Sequence, residues 1–230
     1  MSKGIIYAMT TVVDGLVKIG KTGSDNFEQR MTYLENNGYR NICGLKRQFA
    51  IEVEDYEKKE ILLDNLFSRS RVSNTEIFSL NINEVIQLLS SFEGKIVYPP
   101  QENKNTIFEN ATEAVESLLI PNGTYYLKVK PRGESFFIEA KMLVQDGKII
   151  VKKGATLGSI KNLTVSNWIN IRNSLKTNGN ITIEDFEATS PSMAAAIILG
   201  YNSNGWSVWK NNNGDFIDIY RRHKNIQSEE

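Results

Sequence analysis

Asp14-Gly15 stands between two runs rich in β-branched and aromatic residues, 4–13 and 16–20. Asp-Gly closes a tight hairpin because its second position takes a positive φ without steric cost. Two strands joined this way must pair antiparallel, and a lone hairpin is marginal in water. The residues that follow therefore have to cover it. Residues 25–37 read as a helix, with Asp25 as N-cap, Glu28 three positions on and Asn37-Gly38 as the stop. Residues 48–53 read as a third strand. Residues 55–69 read as a second helix, on the spacing of Ile61, Leu62, Leu66 and Phe67. A third helix spans 82–92, opening after Asn81.

The pattern then breaks. Residues 99–106 are polar, contain Pro99-Pro100 and show no period, so they read as a linker. The expected organisation is a first domain over 1–98, a linker over 99–112 and a second domain over 113–230. The second is richer in strand signals, at 125–129, 136–144 and 148–151, with Asp146-Gly147 joining the last two. Residues 165–175 read as a helix. Ser190-Pro191 opens another, with Ser as N-cap and Pro at the first helical position. Asn204-Gly205 turns the chain into a stretch holding Trp206 and Trp209. Read as a strand, their spacing puts the two rings on opposite faces, with packing of both the favoured reading. The fold class is α/β (α+β): a small antiparallel sheet flanked by helices, then a second α+β domain.

Composition narrows the function. Cys43 is the only cysteine and His223 the only histidine, and the latter lies in a basic tail with Arg221, Arg222 and Lys224. Disulfide frameworks, cysteine metal cages and cysteine–histidine catalysis are thereby excluded. No apolar run reaches the roughly 18 residues of a membrane span, and the N-terminus lacks a signal-peptide core. The expected setting is cytoplasmic or nucleoid-associated, with no membrane partner. Lysine and arginine number 27 and so do aspartate and glutamate. Residues 1–98 hold 12 basic and 13 acidic side chains, the remainder 15 and 14. Any surface for a polyanion is therefore a local patch rather than a global field. Lys152-Lys153-Gly154 to Gly158 has the wrong spacing for a phosphate loop and reads as a turn.

Gly4-Ile5-Ile6-Tyr7 and Val17-Lys18-Ile19-Gly20 occupy the two arms of the hairpin. Phe27-Glu28-Gln29-Arg30 follows, then Glu60 on the second helix and Thr75-Glu76-Ile77-Phe78 beyond it. This ordered set, over residues 3–80, resembles the GIY-YIG nuclease superfamily, in particular its phage and restriction-associated branch. The resemblance implies phosphodiester hydrolysis. Tyr7 would orient or deprotonate the attacking water, and Arg30 would present its fork of donors to phosphate oxygens. Glu60 would hold one Mg²⁺ or Mn²⁺, with Glu76 as the rival ligand. Asp64 stands one helical turn after Glu60, so a cation nearby would relieve their repulsion. The chain departs from the family at two places. Lys18 stands where the second motif has tyrosine, and Asp64 stands where a histidine is frequent.

Ser190-Pro191-Ser192-Met193-Ala194-Ala195-Ala196, Leu199-Gly200, Asn204-Gly205-Trp206 and Trp209-Lys210 resemble a domain-of-unknown-function family found in restriction-associated proteins, over about 124–222. No catalytic residue comes with it. The expected function is a metal-dependent endonuclease acting on DNA, with the second domain as a targeting module or a platform for a protein partner. The alternative is a weakened GIY-YIG domain acting as a nucleic-acid-binding or regulatory module. The catalytic set is Tyr7, Lys18, Arg30 and Glu60. The nucleic-acid-binding set is Lys18, Lys21, Arg30, Lys210, Arg221 and Arg222.

Overall fold

The structure is a computed structural model that describes residues 2–40, 42–100, 103–132 and 135–221. Arg222, named above among the binding cations, lies outside the described residues. The chain is mixed α+β and divides into two compact units, 1–112 and 113–230. No helix among the described residues is long and apolar enough to cross a membrane.

In the first unit the expected hairpin is β1 (Lys3–Thr10) and β2 (Leu16–Thr22), with Gly15 at φ 78°. Helix α1 (Phe27–Asn37) follows, then β3 (Lys46–Glu54), α2 (Tyr56–Leu66), β4 (Ile77–Ser79), α3 (Ile82–Ser91) and β5 (Lys95–Tyr98). The five strands form one antiparallel sheet in the order β4-β2-β1-β3-β5. β1 is central, and because side chains alternate along a strand it feeds two cores. Ile6 and Ala8 join Val17, Ile19, Phe49 and Ile51 beneath Leu63 of α2 and Val85 and Leu89 of α3. Ile5, Tyr7 and Met9 face the other way, against Phe27, Met31 and Leu34 of α1. α3 opens after Asn81 as read, and the Asn81 side chain caps it, accepting from the Asn83 nitrogen at 2.9 Å.

Two local expectations are corrected. Asp25 does not cap α1. It lies within a short 3₁₀ turn, Ser24–Asn26, that precedes the helix, and Ser24 donates its hydroxyl hydrogen to Glu52 at 2.6 Å. In α2 the apolar phase is different from the one read. Ile61, Leu62 and Leu66 are exposed, while Leu63 is buried and Tyr56 and Phe67 pack beside it. Positions 56, 63 and 67 share a helix face as well as the set chosen from the sequence does. The flanking ion pairs Lys21–Glu60 and Arg71–Asp64, both 2.7 Å, accompany that phase. The cations beside Glu60 and Asp64 are thus the chain's own.

Helix α4 (Lys104–Glu116) takes up the second half of the stretch read as linker, and the division between the units falls within it. The second unit continues with β6 (Gly123–Val129), β7 (Ile138–Gln145), β8 (Lys148–Val151), α5 (Ser166–Ser174), β9 (Thr177–Asn178), β10 (Ile181–Thr182), β11 (Phe186–Ala188) and α6 (Pro191–Leu199). Strands β11-β8-β7-β6 make an antiparallel sheet, and β9 and β10 a small ribbon. The inward residues of that sheet pack on α6, every residue of which is buried. Ser190 caps α6 as the sequence suggested, accepting from the Met193 nitrogen at 3.1 Å, with Pro191 at its first turn and Gly200 at φ 79° closing it.

Tyr7 lies directly opposite Gly20 across the β1–β2 ladder, and a Cβ on Gly20 would stand 2.6 Å from the phenolic oxygen. Since Tyr7 is 1% exposed, its ring has little room to retreat. Gly20→Ala is expected to lower the stability of the chain by about 1–3 kcal/mol, the usual cost of overpacking. Urea unfolding measures it, and a wild-type midpoint would show that the ring can move aside.

Candidate active site

Of Tyr7, Lys18, Arg30, Glu60 and Glu76, all but one are brought to the α1 side of the first sheet. Lys18 is opposite Met9, and Gly20 opposite Tyr7, so both point to the face that α1 covers. From α1, Arg30 directs its Nε to the Tyr7 oxygen at 3.4 Å, a long hydrogen bond. Glu76, just before β4, forms an ion pair with Lys18, and its backbone oxygen accepts from the Ile19 nitrogen at 3.2 Å. The exception is Glu60. Its partner Lys21 is opposite Ile6, on the face that α2 and α3 cover. Glu60 still acts electrostatically on both Tyr7 and Lys18, with Glu76 the stronger influence on each.

The electrostatics follow from burial. Lys18 is 0% exposed, and desolvation holds its ammonium below its ordinary 10.5 against the upward pull of Glu76. The charge is further offset by the Tyr39 ring, whose centroid lies 3.9 Å from the nitrogen. Burial likewise lifts the Tyr7 phenol above 10.0, opposed by the hydrogen bond and charge of Arg30. At neutral pH the cluster therefore holds a protonated phenol, a guanidinium and a carboxylate shared with a buried amine. Such a set can donate hydrogen bonds to a phosphate oxygen through Arg30 and supply an oxygen ligand through Glu76.

Two of the remaining candidate cations, Lys21 and Arg221, are engaged in ion pairs. Lys21 pairs with Glu60. Arg221 pairs with Glu116, Nε to Oε2 at 2.7 Å, and its guanidinium lies 4.4 Å from the Trp206 ring centroid. Lys210 is exposed, over the Phe216 ring at 4.7 Å. Trp206 and Trp209 are both buried and do not alternate on a strand. Gly205–Ser207 is a 3₁₀ turn, which carries both rings inward, so neither is offered to a base.

Sequence reasoning also missed a structural arginine. Arg172 of α5 is 9% exposed and donates to the carbonyl of Ile198 at 2.9 Å and to those of Ile197 and Gly158. A cation at the C-terminus of α6 satisfies orphan carbonyls and opposes the helix dipole. At the other end Glu113 of α4 accepts from Ser190 at 3.1 Å and from Ser192, and Trp209 Nε1 donates to the Pro191 carbonyl at 3.0 Å. A Cβ on Gly205 would stand 2.1 Å from the Pro191 carbonyl carbon. The signature of the second unit thus describes how one buried helix is capped and covered.

Lys18 yields a test of the cluster. Its folded pKa is lowered, so between that value and 10.5 the unfolded chain binds more protons than the native one and stability rises with pH. Lys18→Met is expected to remove this rise. Glu76→Gln leaves a buried ammonium without its carboxylate and is expected to cost about 1–3 kcal/mol. In Lys18→Met/Glu76→Gln the ammonium is gone, so most of that loss is recovered. Denaturant unfolding across a pH series checks both, and a double variant as unstable as Glu76→Gln would contradict the assignment.

No curated protein and no solved structure matches the chain. Residues 133–221, which hold the capped α6 and its tryptophan cover, match the family model described as Domain of unknown function (DUF4357).

Proposed function

We propose that the first unit is a GIY-YIG-type endonuclease that hydrolyses phosphodiester bonds, with DNA as substrate, and that the second unit is its targeting module. One observation carries the reading. Tyr7, Lys18, Arg30 and Glu76, distant in sequence and picked by motif order, gather on one face of a single sheet, with Arg30 hydrogen-bonded to Tyr7.

In this reading Arg30 binds the non-bridging oxygens of the scissile phosphate and stabilises the charge that grows on them. The Tyr7 phenol, held neutral by burial, orients the attacking water by hydrogen bonding. Lys18 fixes the Glu76 carboxylate beside them. On the face of Tyr7 and Arg30 the donor set is one carboxylate, Glu76, already paired with Lys18; Glu60 pairs with Lys21 on the other face, and no group of three metal-ligating side chains exists among the described residues. That set fits Mg²⁺ or Mn²⁺ held largely by water and by the substrate's phosphate. Glu76, on the same face as Tyr7 and Arg30, ranks ahead of Glu60, which reverses the order taken from the sequence. When bound, the ion would supply neutralisation of the phosphate charge.

A second reading has its own observation. Lys18 replaces the second-motif tyrosine and is fully buried in an ion pair, while Tyr7 is 1% exposed. A site so closed suits a weakened domain that holds nucleic acid or regulates without cutting.

Plasmid, linear DNA and RNA incubated with Mg²⁺, Mn²⁺ or EDTA separate the two. Nicking that EDTA abolishes supports the enzyme, and binding without nicking supports the module. For the enzyme, Arg30→Ala and Glu76→Gln are each expected to reduce cleavage by roughly a hundredfold or more, with Glu60→Gln milder. Full turnover in Glu76→Gln with loss in Glu60→Gln would return the metal to α2.

A further inference from the structure

We propose that the open face of the β6–β8 sheet in the second unit is a binding surface for single-stranded nucleic acid, separate from the cleavage chemistry assigned to the first unit. The inner face of this sheet is occupied by α6 and its neighbours. The outer face carries a row of side chains that the backbone pairing specifies. Tyr126 of β6 and Lys210 exchange backbone hydrogen bonds at 2.8 and 2.9 Å, and Lys210 bridges in turn to Phe216. On the other side Tyr126 is opposite Lys141 of β7, and the Lys152 nitrogen donates to the Lys141 carbonyl at 2.9 Å. Residues directly opposite in an antiparallel ladder share a face. The row is therefore Phe216, Lys210, Tyr126, Lys141, Lys152, and at the usual strand spacing it crosses roughly 19 Å.

A second cluster lies beside it. Phe137, Glu139 and Lys141 alternate outward on and before β7, as Tyr126, Lys128 and Lys130 do on and just after β6. The ammonium groups of Lys128 and Lys130 stand 5.0 and 5.6 Å from the Phe137 ring centroid. Tyr126, Phe137 and Phe216 are 39, 49 and 44% exposed, an unusual cost for three rings in one small unit. Glu139 neutralises Lys128 at 2.6 Å and Asp185 pairs with Lys152. Lys130, Lys141 and Lys210 have no ion pair among the described residues.

Rings alternating with cations match the chemistry of an unpaired strand, whose bases stack on aromatic faces while its phosphates meet ammonium groups. A duplex offers its phosphates but hides its base faces, and so it uses only half of this surface. An acidic protein segment would use the lysines and leave the spaced rings unexplained. The buried motif residues of the second unit support the same assignment by elimination, since Trp206, Trp209 and Arg172 are spent on packing and capping.

Fluorescence anisotropy of the full chain with a labelled oligo-dT strand, in EDTA so that cleavage plays no part, tests this. Tyr126→Ser and Phe216→Ser, both at exposed positions, are expected to weaken binding by roughly five- to hundredfold each, without loss of melting temperature. Lys141→Gln/Lys210→Gln is expected to reduce the slope of log affinity against log salt by about 0.7 per lysine. Wild-type affinity in the ring variants, or equal affinity for a duplex of the same length, overturns the proposal. Because the assay contains no free metal, an inactive first unit leaves its outcome unchanged.

Discussion

β1 runs through the middle of the first sheet with partners on both sides, and nearly all of its side chains are buried. Its alternation assigns Ile6 and Ala8 to one core and Ile5, Tyr7 and Met9 to the other. A slip of one residue against β2 would exchange the two sets and turn Tyr7 away from α1. The register is locked where there is no room for a Cβ, at the Tyr7–Gly20 pair, and at Gly4, whose absent Cβ leaves room for the Tyr56 ring of α2. Every other feature of the candidate site depends on this register: the approach of Arg30, the burial of Lys18 and the position of Glu76 beside it.

Lys18 shows how such a frame constrains chemistry. A lysine enters a fully buried strand position only when its charge is met. Here Glu76 and the Tyr39 ring meet it. The same burial keeps the Tyr7 phenol protonated. Two neighbouring groups are thus pushed toward their neutral forms by desolvation, and Arg30 remains the fixed positive charge of the cluster. The second unit solves a different problem. It buries a whole helix, α6, and must satisfy both of its ends without water. Ser190 and Glu113 do so at the N-terminus and Arg172 at the C-terminus. Ser190 and Ser192 of its signature are consequently structural.

Where sequence reading went astray, the cause was ambiguity of phase or partner. α2 has apolar residues at 61, 62, 63, 66 and 67, so two rotations fit the helical period. The sheet packing selects Tyr56, Leu63 and Phe67 and leaves Ile61, Leu62 and Leu66 exposed. Trp206 and Trp209 are packed inward as the sequence favours, but through the capped turn at Asn204 rather than from opposite faces of a strand. Arg172 carried no signal, because an arginine on a short helix looks the same whether it meets water or three carbonyls. Likewise Tyr126, Lys141 and Lys210 are unremarkable in sequence, and only strand pairing sets them in a row.

The sequence by itself determined the α+β class, the N-terminal hairpin, the start of α3 after Asn81 and the cap at Ser190. These are local properties: turn dipeptides, capping atoms and alternation act within a few residues and leave their mark on the order of amino acids. Tertiary structure alone decided which carboxylate shares a face with Tyr7 and Arg30, which rotation α2 adopts, and which cations are consumed in ion pairs. Those outcomes depend on contacts between segments tens of residues apart, where register and desolvation choose among arrangements that the local pattern leaves equivalent.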